Sequence, residues 1–453
     1  MGCRPQIAVA AGCRRPRIRA VPIAASSQVR HSYDIIQPVP EGAVDALLGH
    51  PISIDYGISV PRSETSSDEL QASYDDAFSR ERDGGSFYAP FDEQPPFLLA
   101  AHERRMELLA RMELGDLTQS TCVDYGCGSW GFAAVFPQLH ACREAIGIDI
   151  SPIALEASRL LEEKANHPTR EATRFLQSAG ASLPLEDQSV DVFFAGESIE
   201  HVVLTRAFVD EMHRVLKPNG LLIVTTPNSA SLTYRSTGQH FARGPEHVAL
   251  MSYDELVEYL TPAFDIESSK GFNASYLPGR DSEITNPDIV SSWCSAFENN
   301  AADATCVVVA ARRKSNHHSV RWSSETMHHS DGRWIWTSAW EQLSLHARMT
   351  GRGASGVGQR ACLDFVGEGF TLLLWSHRWS GLAEILIDGL LVDSIDLYEA
   401  SGGGFVRFDR FDLGPGQHRA EVRVSERVHP HALGNQVIIH QAVSYGPMSR
   451  EEP

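Results

Sequence analysis

The fold is decided by the stretch Cys122-Val123-Asp124-Tyr125-Gly126-Cys127-Gly128-Ser129-Trp130-Gly131-Phe132. It has the pattern of a strand end, a glycine turn and the start of a helix. Gly126, Gly128 and Gly131 match the G-x-G-x-x-G spacing of a nucleotide-binding loop, in which glycines let a ligand approach the main chain. The amides of the following helix would then face that ligand. A tight strand-to-helix turn without a ligand is the alternative interpretation.

Two carboxylates indicate which ligand suits this loop. Asp149 ends the next apolar run, where doubly wound folds hold ribose hydroxyls, although it could instead only cap the following helix. Asp124 stands just before the first glycine. A carboxylate there would repel the pyrophosphate of a dinucleotide and attract an ammonium or a sulfonium. The pair therefore favours S-adenosylmethionine over NAD.

Further motifs follow in order along the chain. The run 183–194 has the pattern of a loop leading into a buried strand, and Glu197-Ser198-Ile199-Glu200-His201-Val202 follows it. Residues 211–228 have the pattern of a helix, a turn and another strand. Together with the acid-x-Gly-x-Gly motif at 124–128, this order resembles the class I S-adenosylmethionine-dependent methyltransferases, and 197–202 is similar to their small-molecule O-methyltransferase branch. The resemblance covers roughly residues 85 to 314.

The resemblance implies an α/β fold, a Rossmann-like doubly wound seven-stranded sheet whose last strand is antiparallel. Alternating apolar runs and helical patterns predict the same class. The predicted strands are 121–125, 145–149, 174–177, 190–195, 221–225, 264–268 and 305–311. The main predicted helices are 95–114, 153–166, 206–216 and 253–260, with weaker ones at 67–80 and 289–297.

The resemblance also assigns cofactor-binding residues. Asp124 would hold the methionine ammonium through water, and Gly126, Gly128 and Gly131 would offer backbone contacts. Asp149 would bind the ribose hydroxyls. The remaining cofactor contacts would come from Ile150, Glu197 and Ala179.

Those last three residues have different predicted roles. Ile150 would pack against the adenine, and Glu197 would flank the cofactor. Many relatives carry an acid after the third strand that binds the adenine amino group, but residues 178–182 contain none. The adenine would therefore depend on backbone groups of that stretch, including Ala179, or on Ser178.

Candidate catalytic residues are two histidines. His201 follows the fourth strand at the expected pocket mouth, where a neutral imidazole could take a proton from an acceptor hydroxyl or amine. His247 is the second candidate. The alternative for His201 is a helix-start histidine bonded to a carboxylate such as Glu200. Cys127 is interpreted as a small loop residue rather than a nucleophile.

Composition limits the number of domains and the partners. The 453 residues exceed what one core normally holds, so we expect two or more domains. The formal charge of −19 disfavours polyanions, so no nucleic-acid partner is expected. No apolar run has the length of a membrane span. The eight cysteines include no Cys-x-x-Cys pair, which predicts reduced thiols in a cytoplasmic protein and no metal site. The oligomeric state is not predicted.

The chain is predicted to have three parts. Residues 1–65 are predicted to be a disordered basic tail, with a targeting segment or a misplaced start left open. Residues 66–314 would form the methyltransferase domain. Residues 320–447 show short apolar runs with alternating pattern and predict an antiparallel β-sandwich. That part resembles, more loosely, β-sandwich modules of carbohydrate-active proteins.

Tryptophans are concentrated in this third part: Trp334, Trp336, Trp340, Trp375 and Trp379. Aromatic faces stack on sugars, but core packing explains tryptophans equally well. The sequence thus predicts a methyltransferase that acts on a small-molecule or glycan-linked (saccharide) acceptor, at oxygen. The alternatives are a saccharide-binding protein with an inactive methyltransferase-like domain and an NAD-dependent oxidoreductase.

Overall fold

The computed structural model describes residues 96–129, 141–165, 172–178, 182–238, 240–242, 244, 246–275, 286–346, 349–400 and 403–447. The predictions for residues 1–65, for the helix 67–80, and for Gly131 and Ala179 lie outside these ranges.

The first part of the chain forms the predicted seven-stranded sheet, in the order β3-β2-β1-β4-β5-β7-β6. β7 runs antiparallel to both β5 and β6, while β1 to β5 are parallel. This confirms the predicted fold class. The strands are β1 (Thr121–Tyr125), β2 (Glu144–Asp149), β3 (Ala172–Gln177), β4 (Val190–Gly196), β5 (Leu216–Pro227), β6 (Phe264–Phe272) and β7 (Cys306–Arg313).

One strand is longer than its sequence pattern indicates. The sequence predicts 221–225, whereas β5 begins at Leu216 and includes the turn-like segment Lys217–Gly220. Asn219 takes φ +63° there, and the pairing with β4 shifts register between Val190 and Val192. The turn signal is therefore a local irregularity within the strand.

Helices cover both faces of this sheet. They are α1 (Pro96–Ala110), α2 (Pro152–Ala165), α3 (Thr205–Val215), α4 (Leu232–Thr237), α5 (Tyr253–Leu260) and α6 (Pro287–Cys294). One core contains apolar side chains of α3 and α5, and the other contains side chains of α1 and α6. Because both faces are covered, β1 is buried along its whole length, which is typical of a parallel strand.

The second part of the chain forms two antiparallel sheets. β10-β11-β18-β13-β16 form one, with β8 also pairing with β18, and β15-β14-β17-β12-β9 form the other. A common core lies between them, built from side chains such as Phe365, Phe370 and Val422. The strands are β8 (Trp322–His328), β9 (Trp334–Trp336), β10 (Glu341–His346), β11 (Met349–Ala354), β12 (Arg360–Val366), β13 (Gly369–Ser376), β14 (Leu382–Ile387), β15 (Leu390–Asp396), β16 (Gly404–Arg410), β17 (Gln417–Val424) and β18 (Val437–Pro447).

The tryptophans of this part are mostly core residues. Trp334, Trp340 and Trp375 are buried, and Trp336 stacks on Trp334 with ring centroids 5.2 Å apart. Trp379 is 54% exposed. Packing therefore explains most of the tryptophan concentration, and Trp379 is the most exposed of the five.

The two parts of the chain are packed against each other. Asp210 of α3 is buried and accepts hydrogen bonds from His317 Nε2 at 2.8 Å and from Trp322 Nε1 at 2.7 Å. Next to this contact, Leu204 and Ala207 share an apolar cluster with Val443 and Tyr445, among others. The polar contact and the apolar cluster together join α3 to the sheet that contains β8 and β18.

Among the helices in the described ranges, none combines the length and the apolar character that crossing a bilayer requires.

We predict that Asp210→Ala lowers the free energy of unfolding by about 3 kcal/mol, because it leaves buried donors without an acceptor. The matched control is Asp265→Ala. The Asp265 side chain is 72% exposed and lies 3.5 Å from Lys314, so its loss should change stability by less than about 0.5 kcal/mol. Urea unfolding followed by circular dichroism measures both. Equal effects of the two substitutions would contradict the role of Asp210.

Candidate active site

The glycine loop begins where β1 ends and lies against β2. The amides of Gly126 and Cys127 both donate to the carbonyl of Ile148, at 2.7 and 3.2 Å. Gly126 has φ +72° and Gly128 has φ +58°, a region of the backbone map that favours glycine. A Cβ at Gly126 would lie 2.7 Å from Ser198 Cβ, whereas a Cβ at Gly128 would have no atom of the described residues within 4 Å. The loop therefore packs on Ser198, just after β4, at the first glycine, and at Gly128 it has no such neighbour in the described part of the chain.

Asp149 fastens this loop to the start of α2. Its Oδ2 accepts from the amide of Gly128 at 2.9 Å, and its Oδ1 accepts from the amide of Ser151 at 2.9 Å. Ser158 of α2 donates to the carbonyl of Gly128 at 2.7 Å. Asp149 thus supports the turn that leads into α2, whereas the side chain that caps this helix is Ser151, whose hydroxyl accepts from the amide of Ala154 at 3.3 Å. Ribose binding by Asp149 stays a prediction.

Asp124 is the most unusual group of the site. Its side chain is fully buried, and neither carboxylate oxygen has a hydrogen-bond partner among the described residues. Burial raises the pKa of Asp124 well above its usual value, the charge of Asp149 adds to this, and the charge of Arg105 opposes it. A buried carboxyl group without a partner is costly, so this position is suited to a ligand that supplies a positive charge or donors.

Glu197 and Ser198 follow β4 and lie beside the glycine loop. Glu197 has φ +48°, which is uncommon for a residue other than glycine, and its amide donates to the carbonyl of Thr225 at 2.8 Å. Glu197 Oε1 lies 3.9 Å from the guanidinium of Arg105. The positive φ turns the chain sharply between β4 and the following 3₁₀ turn, Ile199–His201.

That turn brings a carboxylate and two imidazoles together. Glu200 is buried and accepts from the hydroxyl of Thr226 at 2.9 Å. His201 Nε2 lies 4.0 Å from Glu200 Oε1, and the rings of His201 and His247 have centroids 4.7 Å apart. The two predicted catalytic histidines, which are far apart in sequence, therefore lie side by side.

The hydrogen bonds of these histidines define their tautomers. His201 Nδ1 donates to the carbonyl of Glu246 at 2.9 Å, and His247 Nδ1 donates to the carbonyl of Ala242. A carbonyl can only accept, so Nδ1 carries the hydrogen in both rings. Burial lowers the pKa of His201 to about 3, with a contribution from His247. His201 is thus neutral near pH 7, with its lone pair on Nε2.

Cys127 does not have the properties of a nucleophile. Burial raises the pKa of its thiol well above the usual value, and the charges of Asp149 and Asp124 act in the same direction. The thiolate is therefore disfavoured, in agreement with its interpretation as a small loop residue.

The structure brings Asp124, Gly126, Gly128 and Asp149 together at the carboxyl ends of β1 and β2. Glu197 is adjacent to them. Ile150 is half-buried, and its carbonyl accepts from Gln177 Nε2 at 2.9 Å. Ser178, the predicted alternative contact for adenine, donates its hydroxyl to the carbonyl of Ser182 at 3.0 Å.

Sequence reasoning missed two polar residues of this site. Arg105 of α1 lies near both Asp124 and Glu197, and Thr226 of β5 orients Glu200. Arg105 belongs to a helix whose pattern suggested only core packing. A positive charge among predicted core positions is the signal that could have identified it.

The comparisons with known proteins agree with this geometry. Residues 123–224 match a family model described as a methyltransferase domain. A probable S-adenosylmethionine-dependent methyltransferase of Mycobacterium tuberculosis is 33% identical over 162 residues, which cover 35% of this chain and 54% of that protein. The chain thus spans about half the length of this curated relative.

Two further comparisons are more distant. The ubiquinone/menaquinone biosynthesis C-methyltransferase of Syntrophotalea carbinolica is 28% identical, over 37% of this chain and 71% of that protein. A solved S-adenosylmethionine-dependent methyltransferase of Mesorhizobium loti aligns with a TM-score of 0.34 and 16% identity, over 49% of this chain and all (100%) of that one. This TM-score is too low to establish a shared fold. The fold is therefore identified from the strand order of the sheet.

These findings define a class. Over residues 123–224 the chain is similar to a methyltransferase domain, and S-adenosylmethionine is the cofactor that the name of the Mycobacterium tuberculosis relative gives.

The residues of the site fit this cofactor. The buried carboxyl group of Asp124 can pair with its ammonium group, and no atom of the described residues would lie within 4 Å of a Cβ at Gly128. The same carboxyl group would oppose a pyrophosphate.

We predict that Gly126→Ala destabilises the protein more than Gly115→Ala. Both glycines have nearly the same φ, +72° and +73°, but only a Cβ at Gly126 would meet Ser198. The strained φ alone should cost about 1 kcal/mol, and the contact with Ser198 should add about 2 kcal/mol. Thermal unfolding of the two variants measures the difference. Equal losses would show that the loop does not pack on Ser198 as described.

Proposed function

We propose that this protein is a methyltransferase that moves a methyl group from S-adenosylmethionine to an oxygen of a small-molecule or glycan-linked acceptor. We further propose that residues 66–314 form the catalytic domain and residues 320–447 a separate β-sandwich domain. The observation that carries the proposal is the buried carboxyl group of Asp124, which has no hydrogen-bond partner among the described residues and lies beside the glycine loop.

We call Asp124, Gly126, Gly128, Asp149 and Glu197 the cofactor half of the site. This half would bind and orient the methyl donor. Asp124 would hold the ammonium group, and the backbone of the loop, including Gly126 and Gly128, would lie against the cofactor. Asp149 would bind the ribose hydroxyls, with Ile150 near the adenine. Glu197, which turns away from β4 next to Ser198, would flank the cofactor on the side of the acceptor.

We call Glu200, His201 and His247 the acceptor half of the site. This half would position the acceptor oxygen and assist the loss of its proton. When bound, the cofactor supplies a methyl carbon on a positively charged sulfur, which a nucleophile takes while the electron pair of the broken bond stays on sulfur. His201 and His247 lie at the 3₁₀ turn that follows Glu197, and a lone pair on Nε2 suits an acceptor hydroxyl. We propose that this pair handles the proton that the hydroxyl loses.

The proposed acceptor class is supported by a cavity in the second part of the chain, which contains β8 to β18. A cavity of about 380 Å³ is lined in part by Trp375, His377 and Gln436, a mixture of aromatic and polar groups that suits a saccharide. Trp375 also belongs to the cluster that packs against Val248 and Ala249, next to His247. A glycan-linked acceptor bound there would lie close to the acceptor half of the site.

A labelled-methyl assay tests this function. The purified protein is incubated with S-adenosylmethionine that carries a labelled methyl group and with a panel of nucleotide sugars, lipids and oligosaccharides. We expect transfer to an acceptor hydroxyl, identified by mass spectrometry of the product. Binding of NAD with no heat from S-adenosylmethionine in calorimetry would contradict the proposal.

We predict opposite effects of Asp124→Asn on stability and on cofactor binding. Because burial raises the pKa of Asp124 in the folded protein above the ordinary 3.8, its contribution to stability is lost as pH rises from that value through the raised pKa. The variant should therefore unfold at a higher temperature near pH 7. It should bind S-adenosylmethionine at least about tenfold more weakly, a loss of roughly 1.4 kcal/mol, because the ammonium loses its counter-charge.

The matched control for this variant is Asp116→Asn. Asp116 is exposed and accepts from the amide of Thr118 at 2.9 Å, away from the loop. It should leave cofactor affinity unchanged in calorimetry. A wild-type affinity of Asp124→Asn would remove Asp124 from the cofactor site.

A further inference from the structure

A carboxylate and two imidazoles form a compact group on the acceptor half of the site. The potential ligand atoms of Glu200, His201 and His247 all lie within 4.8 Å of one another, and within the described ranges this is the one group of three such side chains. Zn–N bonds of about 2.1 Å put the ligands of a tetrahedral site roughly 3.4 Å apart. Side-chain rotations that move the ligand atoms by about 1 Å would therefore be enough to close the group around a cation.

The hydrogen bonds around this group are those that metal ligands require. A histidine that binds a metal normally donates its other ring N–H to a carbonyl or a carboxylate, which fixes the tautomer. His201 and His247 both donate Nδ1–H to backbone carbonyls, of Glu246 and Ala242. Both Nε2 atoms are thereby kept as ligand atoms.

The carboxylate is supported in the same manner. Glu200 is 1% exposed, and one of its oxygens accepts from Thr226 while the other lies 4.0 Å from His201 Nε2. Burying a carboxylate costs free energy unless a positive charge is near. A cation between Glu200 and the imidazoles would supply that charge.

We propose that Glu200, His201 and His247 bind a divalent first-row transition cation such as Zn²⁺, Mn²⁺ or Fe²⁺. Two imidazoles and one carboxylate suit these cations and leave coordination positions open. The second step rests on the proposed function: an open position binds the acceptor hydroxyl, and the cation lowers its pKa so that its proton passes to solvent. The two histidines then promote the loss of the proton by holding the cation, and they do not accept the proton themselves.

The full-length protein, freed of metal by dialysis against a chelator, is titrated with Co²⁺ and Zn²⁺. We expect about one cation per chain by calorimetry, and visible Co²⁺ absorption typical of low-symmetry nitrogen and oxygen ligation. His247→Gln and Glu200→Gln should each weaken binding at least about a hundredfold, because each removes a ligand. His318→Gln and Glu258→Gln, at exposed positions outside the site, should bind like the wild type.

Cofactor binding separates a lost ligand from a lost fold. The variants are compared with the wild type in S-adenosylmethionine affinity, which should change less than about threefold because the cofactor half is distinct from these residues. If the wild type binds no cation, or if the two site variants bind it as well as their controls, the cation site is wrong. If cation binding follows the pattern above while S-adenosylmethionine produces no heat, the site stands and the proposed function falls.

The catalytic step has its own test. With an acceptor from the labelled-methyl assay, removal of metal should slow transfer at least about tenfold, and added Zn²⁺ or Mn²⁺ should restore it. An unchanged rate in excess chelator would overturn the acceptor-binding step, and would leave the methyltransferase proposal intact.

Discussion

The arrangement of this site depends on a buried carboxyl group that no described side chain satisfies. Asp124 stands at the end of a fully buried strand, where burial disfavours its charged form and neither of its oxygens has a hydrogen-bond partner among the described residues. Arg105 is close enough to affect it but makes no hydrogen bond to it. Such a group destabilises the empty protein and is favourable only when a cationic ligand arrives. This loss of stability is confined to the position of Asp124, because the two cores beside the sheet consist of buried apolar side chains.

The second sheet system contributes to the position of the acceptor half. The amide of Ala249 donates to the carbonyl of Glu200 at 2.7 Å. Ala249 and Val248 also pack against Leu373 and Trp375 of β13. The segment that contains His247 is thus held between the end of β4 and a sheet formed by residues far along the chain. The second part of the chain therefore contacts the segment that carries one of the two candidate catalytic histidines.

Local pattern predicted most of the first fold and less of the second. The strands of the parallel sheet are short apolar runs, and β1 and α5 occur at the predicted residues. In the second part the sequence missed β8, β10 and β11. Residues 322–326 of β8 alternate between half-buried and exposed positions, Met327 is its one buried residue, and its Ser323 and Ser324 resemble a loop. A strand that is held mainly by pairing, as β8 is with β18, leaves a weak apolar signal.

The candidate site shows the same limit in a sharper form. Asp124 and the glycines are one continuous motif, so the chemistry of the cofactor half could be predicted from adjacent residues. The acceptor half could not, because His247 is distant in sequence from Glu200 and His201, and its segment also contacts β13, which lies much further along the chain. The sequence indicated two separate candidate bases and no metal site. Three ligand atoms with their supporting carbonyls and hydroxyl become visible only when the fold places them together. Two sets of contacts thus act on His247: Ala249 and Val248 hold its segment against Glu200 and β13, and the carbonyl of Ala242 accepts from its Nδ1 and so orients the imidazole.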